Sequence, residues 1–169
     1  MSFIGVVAGK KCFENIRKKL AEELKQEDMN FIQINLRSIE NVKNIKFETI
    51  IIEDNKEKFK EQQEILKKIC DSTQYVIINT DKNINENQIN SSNYITYGLN
   101  QKANVTVSSI SETDVLVYWQ KSLKNKAGNI IEIEEKRVKK EKNKRLQTYE
   151  ILIIDILFKL YCNNIIEVT

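Results

Sequence analysis

The 169-residue chain is 41% hydrophobic and 30% charged, which is typical of a folded globular protein and excludes a disordered one. Its net charge of +3 is too small to indicate nucleic-acid binding, so no nucleic-acid partner is expected. The absence of histidine removes the commonest general base and excludes the usual hydrolase triads. With only three widely spaced cysteines and no histidine, a zinc site is not expected either.

No targeting or membrane segment is predicted. The first residues, MSFIGVVAGKK, lack the basic region and the cleavage site of a signal peptide. The most apolar late segment is interrupted by Asp155 and Lys159 and is too short to span a bilayer. No proline and no Gly/Ser linker marks a boundary, so residues 1–169 are predicted to form one domain. We expect a cytoplasmic protein that does not associate with membranes.

The first half of the chain alternates between strand and helix patterns. Apolar runs predict strands, whereas apolar residues three or four positions apart predict amphipathic helices. In chain order we predict a strand at 3–8, a helix at 12–26, strands at 31–36 and 47–54, a helix at 57–72, and strands at 75–81 and 94–99. The predicted apolar helix faces are Phe13, Ile16, Leu20 and Leu24, and then Phe59, Ile65, Leu66 and Ile69.

The second half predicts antiparallel strands and a closing helix. The strands are predicted at 104–110, 114–123 and 129–138, with a hairpin turn in KNKAG before the last one. The helix is predicted at 146–162. The predicted domain therefore has a parallel α/β part over 1–99, followed by antiparallel strands and a helix over 100–169.

Apolar strands separated by amphipathic helices indicate an α/β fold, with a mainly parallel sheet flanked by helices. The pattern is Rossmann-like or P-loop-like, with an added antiparallel portion and a C-terminal helix. Right-handed crossovers bring the carboxyl ends of the strands to one edge of such a sheet, where ligands bind. The residues predicted at that edge are Gly9, Lys10, Glu53, Asp54, Asn79, Thr80 and Asp81.

Gly9 and Lys10 lie between a predicted strand and a predicted helix, as in a phosphate-binding loop. In such a loop a Ser or Thr directly after the lysine holds magnesium, but here Lys11 takes that position. Cys12 follows, and a thiol is a poor ligand for magnesium. The alternative, that Gly9 makes the turn and Lys10 is solvated, is favoured.

Three carboxylates follow predicted strands. Glu53, Asp54 and Asp81 have the chemistry to bind magnesium or to act as acid or base. The alternative is structural, with Asp54 opening a loop and Asp81 capping a turn. For each residue considered alone, the structural role is favoured.

The remaining candidate features have simpler interpretations. The basic run at 136–145 has the charge to hold phosphate, RNA or an acidic partner, but it has no interleaved aromatic residues and a solvated loop is favoured. Tyr118 and Trp119 either pack in the core or anchor a homo-oligomer through the antiparallel part. Their predicted position on a strand fits both. The cysteines are interpreted as small hydrophobic residues: Cys12, Cys70 and Cys162.

One longer stretch carries a family resemblance. Residues 75–110, YVIINTDKNINENQINSSNYITYGLNQKANVTVSSI, resemble the later half of the central ATPase domain of Mur ligases. That family has an Asn-x-Asp-Asp motif at the end of a strand, here Asn79-Thr80-Asp81 followed by Lys82. It then has a strand ending in Tyr-Gly, here Tyr97-Gly98. An alanine–aspartate pair before valine matches Ala103-Asn104-Val105 in part.

The resemblance implies a nucleotide site and a magnesium site. Mur ligases and folylpolyglutamate synthetase join an amino acid or peptide to a carboxylate through an acyl phosphate. The family's Gly-Lys-Thr loop corresponds to Gly9 and Lys10, and its strand-end magnesium glutamate corresponds to Glu53. The full implied set is Gly9, Lys10, Asn79 and Asn143 for the nucleotide, and Glu53 and Asp81 for the metal.

The departures from the family predict that ligase catalysis is lost. Lys11 replaces the loop threonine, and Lys82 replaces the second aspartate of the motif. We expect neither the substrate domain nor the domain that closes over ATP. The sequence thus predicts a binding or regulatory protein with no catalytic residue, no resident cofactor and an unidentified partner. The alternative is a reduced ligase or ATPase that uses ATP and magnesium through Lys10, Glu53 and Asp81.

Overall fold

The computed structural model describes residues 2–24, 29–56, 59–82, 94–141 and 146–162. Within these ranges the helices are α1 (Lys10–Glu23), α2 (Lys60–Asp71) and α3 (Thr148–Tyr161), with a 3₁₀ segment at Leu36–Val42. The strands are β1 (Ser2–Val7), β2 (Met29–Gln33), β3 (Thr49–Ile52), β4 (Tyr75–Asn79), β5 (Tyr94–Tyr97), β6 (Val105–Ile110), β7 (Asp114–Trp119), β8 (Leu123–Lys124), β9 (Ile130–Ile131) and β10 (Glu134–Lys139).

Eight of these strands form one sheet, in the order β10-β7-β6-β5-β4-β3-β1-β2. Neighbouring strands run parallel along the stretch β6-β5-β4-β3-β1-β2. Strand β7 runs antiparallel to β6, and β10 runs antiparallel to β7. The register aligns Val7 with Ile52 and Ile52 with Ile78. The residues that follow β1, β3 and β4 therefore lie side by side at the carboxyl edge of the sheet.

The sheet separates two apolar cores. On one face α1 packs through Phe13, Ile16 and Leu20, beside the almost entirely buried helix α3. On the other face lie α2 and the 3₁₀ segment. The central strands β3 and β4 are buried at every position because helices cover them on both sides, as expected for parallel strands.

The predicted α/β class, with a mainly parallel sheet and an antiparallel extension, is confirmed. The predicted strand at 129–138 is wrong as one element, because Ile130–Ile131 pairs with β8 in a separate two-stranded sheet while Glu134–Lys139 pairs with β7. The KNKAG turn joins β8 to β9, and Gly128 adopts a φ of 85°, which favours glycine.

The boundary of α2 also differs from the prediction. Phe59 precedes the helix as its N-cap residue and is 69% exposed, so its place on the apolar face was wrong. Leu66 and Ile69 are buried as predicted. Among the described residues, no helix has the length and apolar character needed to cross a membrane.

Candidate functional site

Glu53 is the most buried carboxylate at the carboxyl edge of the parallel strands. It directly follows β3, and only 4% of its surface is exposed. The neighbouring strands end in Asn79 and Tyr97, both fully buried and paired with each other in the register of β4 and β5. The parallel alignment therefore places two hydrogen-bond donors beside the glutamate.

The oxygens of Glu53 accept hydrogen bonds from the side chains of Asn79, Tyr97 and Lys82. Oε2 accepts from Nδ2 of Asn79 at 3.0 Å and from the hydroxyl of Tyr97, whereas Oε1 accepts from Nζ of Lys82. Nζ of Lys82 also lies 4.9 Å from the centre of the Tyr149 ring. Burial opposes the charge of Lys82, but its bond to Glu53 raises the pKa overall, so the ammonium persists. The buried carboxylate thus has a cation supplied by the chain itself.

The two tyrosines of this region remain protonated at neutral pH. Burial, followed by the charge of Glu53, raises the pKa of Tyr97 well above its ordinary value. Burial and the hydrogen bond to Asp81 raise the pKa of Tyr149 to about 12. Both hydroxyls therefore act as hydrogen-bond donors rather than as bases.

Asp81 holds the loop after β5. Its carboxylate accepts from the backbone N–H of Leu99 at 2.5 Å, from Nδ2 of Asn100 at 2.6 Å and from the hydroxyl of Tyr149 at 2.9 Å. Partial burial opposes ionisation, but these bonds, that of Asn100 first, lower the pKa of Asp81 overall. A Cβ added to Gly98 would lie 2.8 Å from Oδ1 of Asp81, so glycine permits this close approach. This geometry matches the structural role considered for Asp81.

A second polar cluster lies between α1 and α3. Nδ2 of Asn15 lies 3.2 Å from each carboxylate oxygen of the buried Glu150, which also accepts from the backbone N–H of Gln147 in a capping box. Burial, then Glu53 and Glu150, raises the pKa of Cys12 to about 12. Cys12 is therefore a thiol at neutral pH and a poor nucleophile.

The predicted phosphate loop is an open turn. Gly9 is the N-cap residue of α1, with φ −62° and ψ 154°, and no atom lies within 4 Å of a Cβ added there. Lys10 is exposed, and its side chain makes no hydrogen bond or ion pair with another residue that the structure describes. This placement agrees with the interpretation of Gly9 as a turn and Lys10 as solvated.

A cleft of about 700 Å³ opens beside this turn, at the carboxyl ends of β1, β2 and β3. Its walls come from three loops and include both polar and apolar side chains. They include Gly9, Gln33, Asn35, Arg37, Asp54, Lys56 and Phe59. The cleft is separate from the hydrogen bonds around Glu53.

The structure brings together only part of the predicted site. Glu53 and Asn79 are hydrogen-bonded, but Gly9 and Lys10 lie in the open turn and at the first position of α1. Asn143 lies outside the described residues. Within the described ranges, no group of three or more Asp, Glu or Cys residues is arranged to hold a metal ion. The Glu53–Asp81 metal site therefore has no third acidic ligand there.

Trp119 belongs to the core. It is fully buried, and its Nε1 donates to Oδ2 of Asp155 at 2.8 Å. Tyr118 is half-buried on the opposite side of β7. Of the two interpretations given to this pair, core packing is correct for Trp119.

Sequence reasoning missed several residues that define the two sites. Lys82 and Tyr97 were noted only as motif positions, although a lysine three residues after Asn79 was a signal for a cation near Glu53. Arg37 was not considered at all, because it lies in a segment with no predicted element. Tyr149 was assigned only to the apolar final helix.

Comparison with known proteins does not assign a family. No protein-family model matches the chain, and no curated protein matches its sequence. The resemblance to Mur ligases therefore depends on residues 75–110 and on the few motif positions outside them.

Proposed function

We propose that the chain is a binding or regulatory domain, similar to the central domain of Mur ligases, that has lost ligase catalysis. The observation that carries this proposal is the bond between Lys82 and Glu53. In the family it resembles, the corresponding glutamate helps to hold magnesium. In this chain the ammonium group of Lys82 donates a hydrogen bond to the carboxylate of Glu53.

The chemistry around Glu53 opposes a divalent cation. Magnesium needs oxygen ligands at about 2.0–2.1 Å in nearly octahedral geometry. The positive charge of Lys82 repels a second cation, and the side chains of Asn79 and Tyr97 present hydrogen atoms to the other oxygen of Glu53. The lone pairs of Asp81 are directed at N–H and O–H donors in the same way.

The titratable groups beside Glu53 also lack the properties of a general base. The Cys12 thiol and the Tyr97 hydroxyl both have raised pKa values, so neither is deprotonated at neutral pH. General-base catalysis is most effective when the pKa lies near the working pH. The cluster is therefore better suited to holding the ends of β3, β4 and β5 together than to catalysis.

Manganese binding, measured by electron paramagnetic resonance, tests this proposal. We expect no binding to the wild type at sub-millimolar manganese, and a gain of binding in Lys82→Asp, which restores the family's second aspartate. Lys102→Asp, an exposed position in the following loop, is the matched control and should bind no manganese. Magnesium-dependent ATP hydrolysis by the wild type that Lys10→Ala abolishes would overturn the proposal.

The second candidate is a reduced ligase or ATPase that uses ATP and magnesium. The open N-terminus of α1, with Lys10 and Lys11 exposed, favours phosphate binding. This candidate requires that magnesium strengthen the binding of ATP. Calorimetry that shows the same ATP affinity with magnesium and with a chelator would remove it.

A further inference from the structure

We propose that the cleft beside Gly9 binds a planar ring that carries a phosphate, the chemistry of a nucleoside monophosphate, without a metal ion. The inference builds on the proposed function, since it supplies a ligand class for a binding domain. It uses Arg37 and Phe59, which the family resemblance does not assign.

The position of the cleft follows from the topology of the sheet. From β1 the chain passes through α1 to β2 on one side, and then returns to β3 on the other side of β1. The connections diverge at the carboxyl end of β1, with α1 on one face and the 3₁₀ segment on the other. Open α/β sheets bind their ligands in the crevice at such a switch point.

The size of the cleft suits a small molecule. Its volume of about 700 Å³ lies inside the roughly 300–1,000 Å³ typical of ligand pockets. Apolar Val7 and Ile34 line it beside the polar Gln33 and Asn35. This combination can bury a ring while orienting a polar group.

The charges of the lining residues that the structure describes favour an anion. The guanidinium of Arg37 makes no hydrogen bond or ion pair with any residue in the described part of the chain. Lys56 pairs with Asp54 at 3.0 Å, so these two charges offset each other. The first turn of α1 contains no acidic residue, and Gly9 supplies no side-chain cap. An arginine with spare donors suits a phosphate because its planar fork makes paired hydrogen bonds.

An aromatic ring also lines the cleft. Phe59 is 69% exposed although it is a large apolar residue, and it lines the cleft immediately before α2. Stacking on a planar ring would remove this surface from water, and such stacking is tolerant of the identity of the base. A phosphate near Arg37 and a ring on Phe59 together define the ligand class.

Binding of AMP in a chelating buffer, measured by calorimetry, tests the inference. We expect AMP to bind, and adenosine and inorganic phosphate each to bind at least about tenfold more weakly because each lacks one half of the contacts. Added magnesium should leave the AMP affinity unchanged. No heat with millimolar AMP, or equal affinity for AMP and phosphate alone, would overturn the inference.

Variants of Gly9 separate ligand binding from folding. Aspartate and serine both fit the extended backbone of Gly9 and both cap helices well, so each should keep or increase the stability of the fold. Only Gly9→Asp places a negative charge beside the phosphate. We expect AMP affinity to fall at least about tenfold in Gly9→Asp relative to Gly9→Ser. Equal affinities in the two variants would contradict the proposed position of the phosphate.

Two further pairs test the other contacts. Arg37→Gln should weaken AMP binding at least about tenfold, whereas Lys102→Gln should not. Phe59→Ala should weaken it and Phe59→Tyr should preserve it. Unchanged affinity in both Arg37→Gln and Phe59→Ala would place AMP elsewhere and overturn the inference. The proposed function fails separately, through magnesium-dependent ATP hydrolysis by the wild type, whatever the AMP result.

Discussion

At the scale of single residues, two carboxylates on the same sheet edge have different roles because their surroundings differ. Glu53 is buried at the end of β3 and accepts from a lysine, an amide and a phenol. Asp81 is more exposed and accepts from the backbone of the loop after β5. The negative charge of Glu53 is compensated by the ammonium of Lys82, whereas that of Asp81 is stabilised by backbone N–H groups that point at it.

Asp81→Asn should lower the free energy of unfolding by about 1–2 kcal/mol at pH 7, because an amide cannot accept all four of the hydrogen bonds that the carboxylate receives. Folding lowers the pKa of Asp81 below 3.8, so its stabilisation is present above that pH and is lost as the pH falls further. The difference between variant and wild type should therefore shrink below pH 3.8. Urea unfolding followed by Trp119 fluorescence measures this, with Glu112→Gln as an exposed control. If the difference in unfolding free energy between Asp81→Asn and the wild type did not change with pH, the hydrogen bonds of the ionised Asp81 would not be its cause.

Gly98→Ala should destabilise the fold by about 1–3 kcal/mol, because its Cβ would lie within 3 Å of the Asp81 carboxylate. The carboxylate is held by several hydrogen bonds and cannot move aside without losing them. In an Asp81→Ala background the same substitution should cost less than 1 kcal/mol, since the clash is gone. Equal costs in the two backgrounds, measured by urea unfolding, would show that Asp81 is not the cause.

At the scale of elements, Glu150 joins two helices, because it caps α3 and accepts from Asn15 of α1. Glu150→Ala should cost about 2–3 kcal/mol of stability, since it removes the capping box and leaves the amide of Asn15 without its partner. Glu150→Gln keeps an acceptor of the same shape and should cost less than half as much. Chemical unfolding of both variants compares them. A similar loss in both would assign the effect to the charge of Glu150 instead.

The elements also show what the sequence could predict. Strands such as TIII and YVIIN are mostly apolar, so their burial and the edge position of Glu53 and Asn79 were predictable. The contact from Lys82 was not, because it depends on the path of the chain after β4. Phe59 was misplaced because its spacing fits the helical period, although the helix begins one residue later. The predicted strand at 129–138 is divided into β9 and β10 because the two parts pair with different strands. The local sequence pattern does not predict which strand will be the partner.

At the scale of the whole molecule, two cores share one sheet, and Cys12 and Cys70 lie against different cores. Burial is the main cause that raises the pKa of both Cys12 and Cys70 from 9.0 to about 12. At pH 8 this lowers the thiolate fraction of each about a thousandfold.

We therefore expect both thiols of the folded protein to react very slowly with an aromatic disulfide reagent in a Cys162→Ser background. Their rates should keep rising with pH beyond 9, whereas those of the unfolded chain level off near that value. Absorbance of the released thiolate measures both rates. Fast reaction of Cys70 in the folded protein at pH 8 would contradict this prediction. It would show that the core beneath α2 opens independently of the rest of the protein.

The outer strand β10 has a consequence for the behaviour of the protein in concentrated solution. It is the last strand of the eight-stranded sheet, and its exposed side chains include Glu134, Glu135, Arg137 and Lys139. Charges on an outer strand hinder the edge-to-edge stacking of sheets that leads to aggregation. Replacing Arg137 and Lys139 with threonine should leave the fold intact but lower the concentration at which the protein begins to scatter light on warming. The charges of this outer strand are therefore expected to oppose the association of one molecule with another.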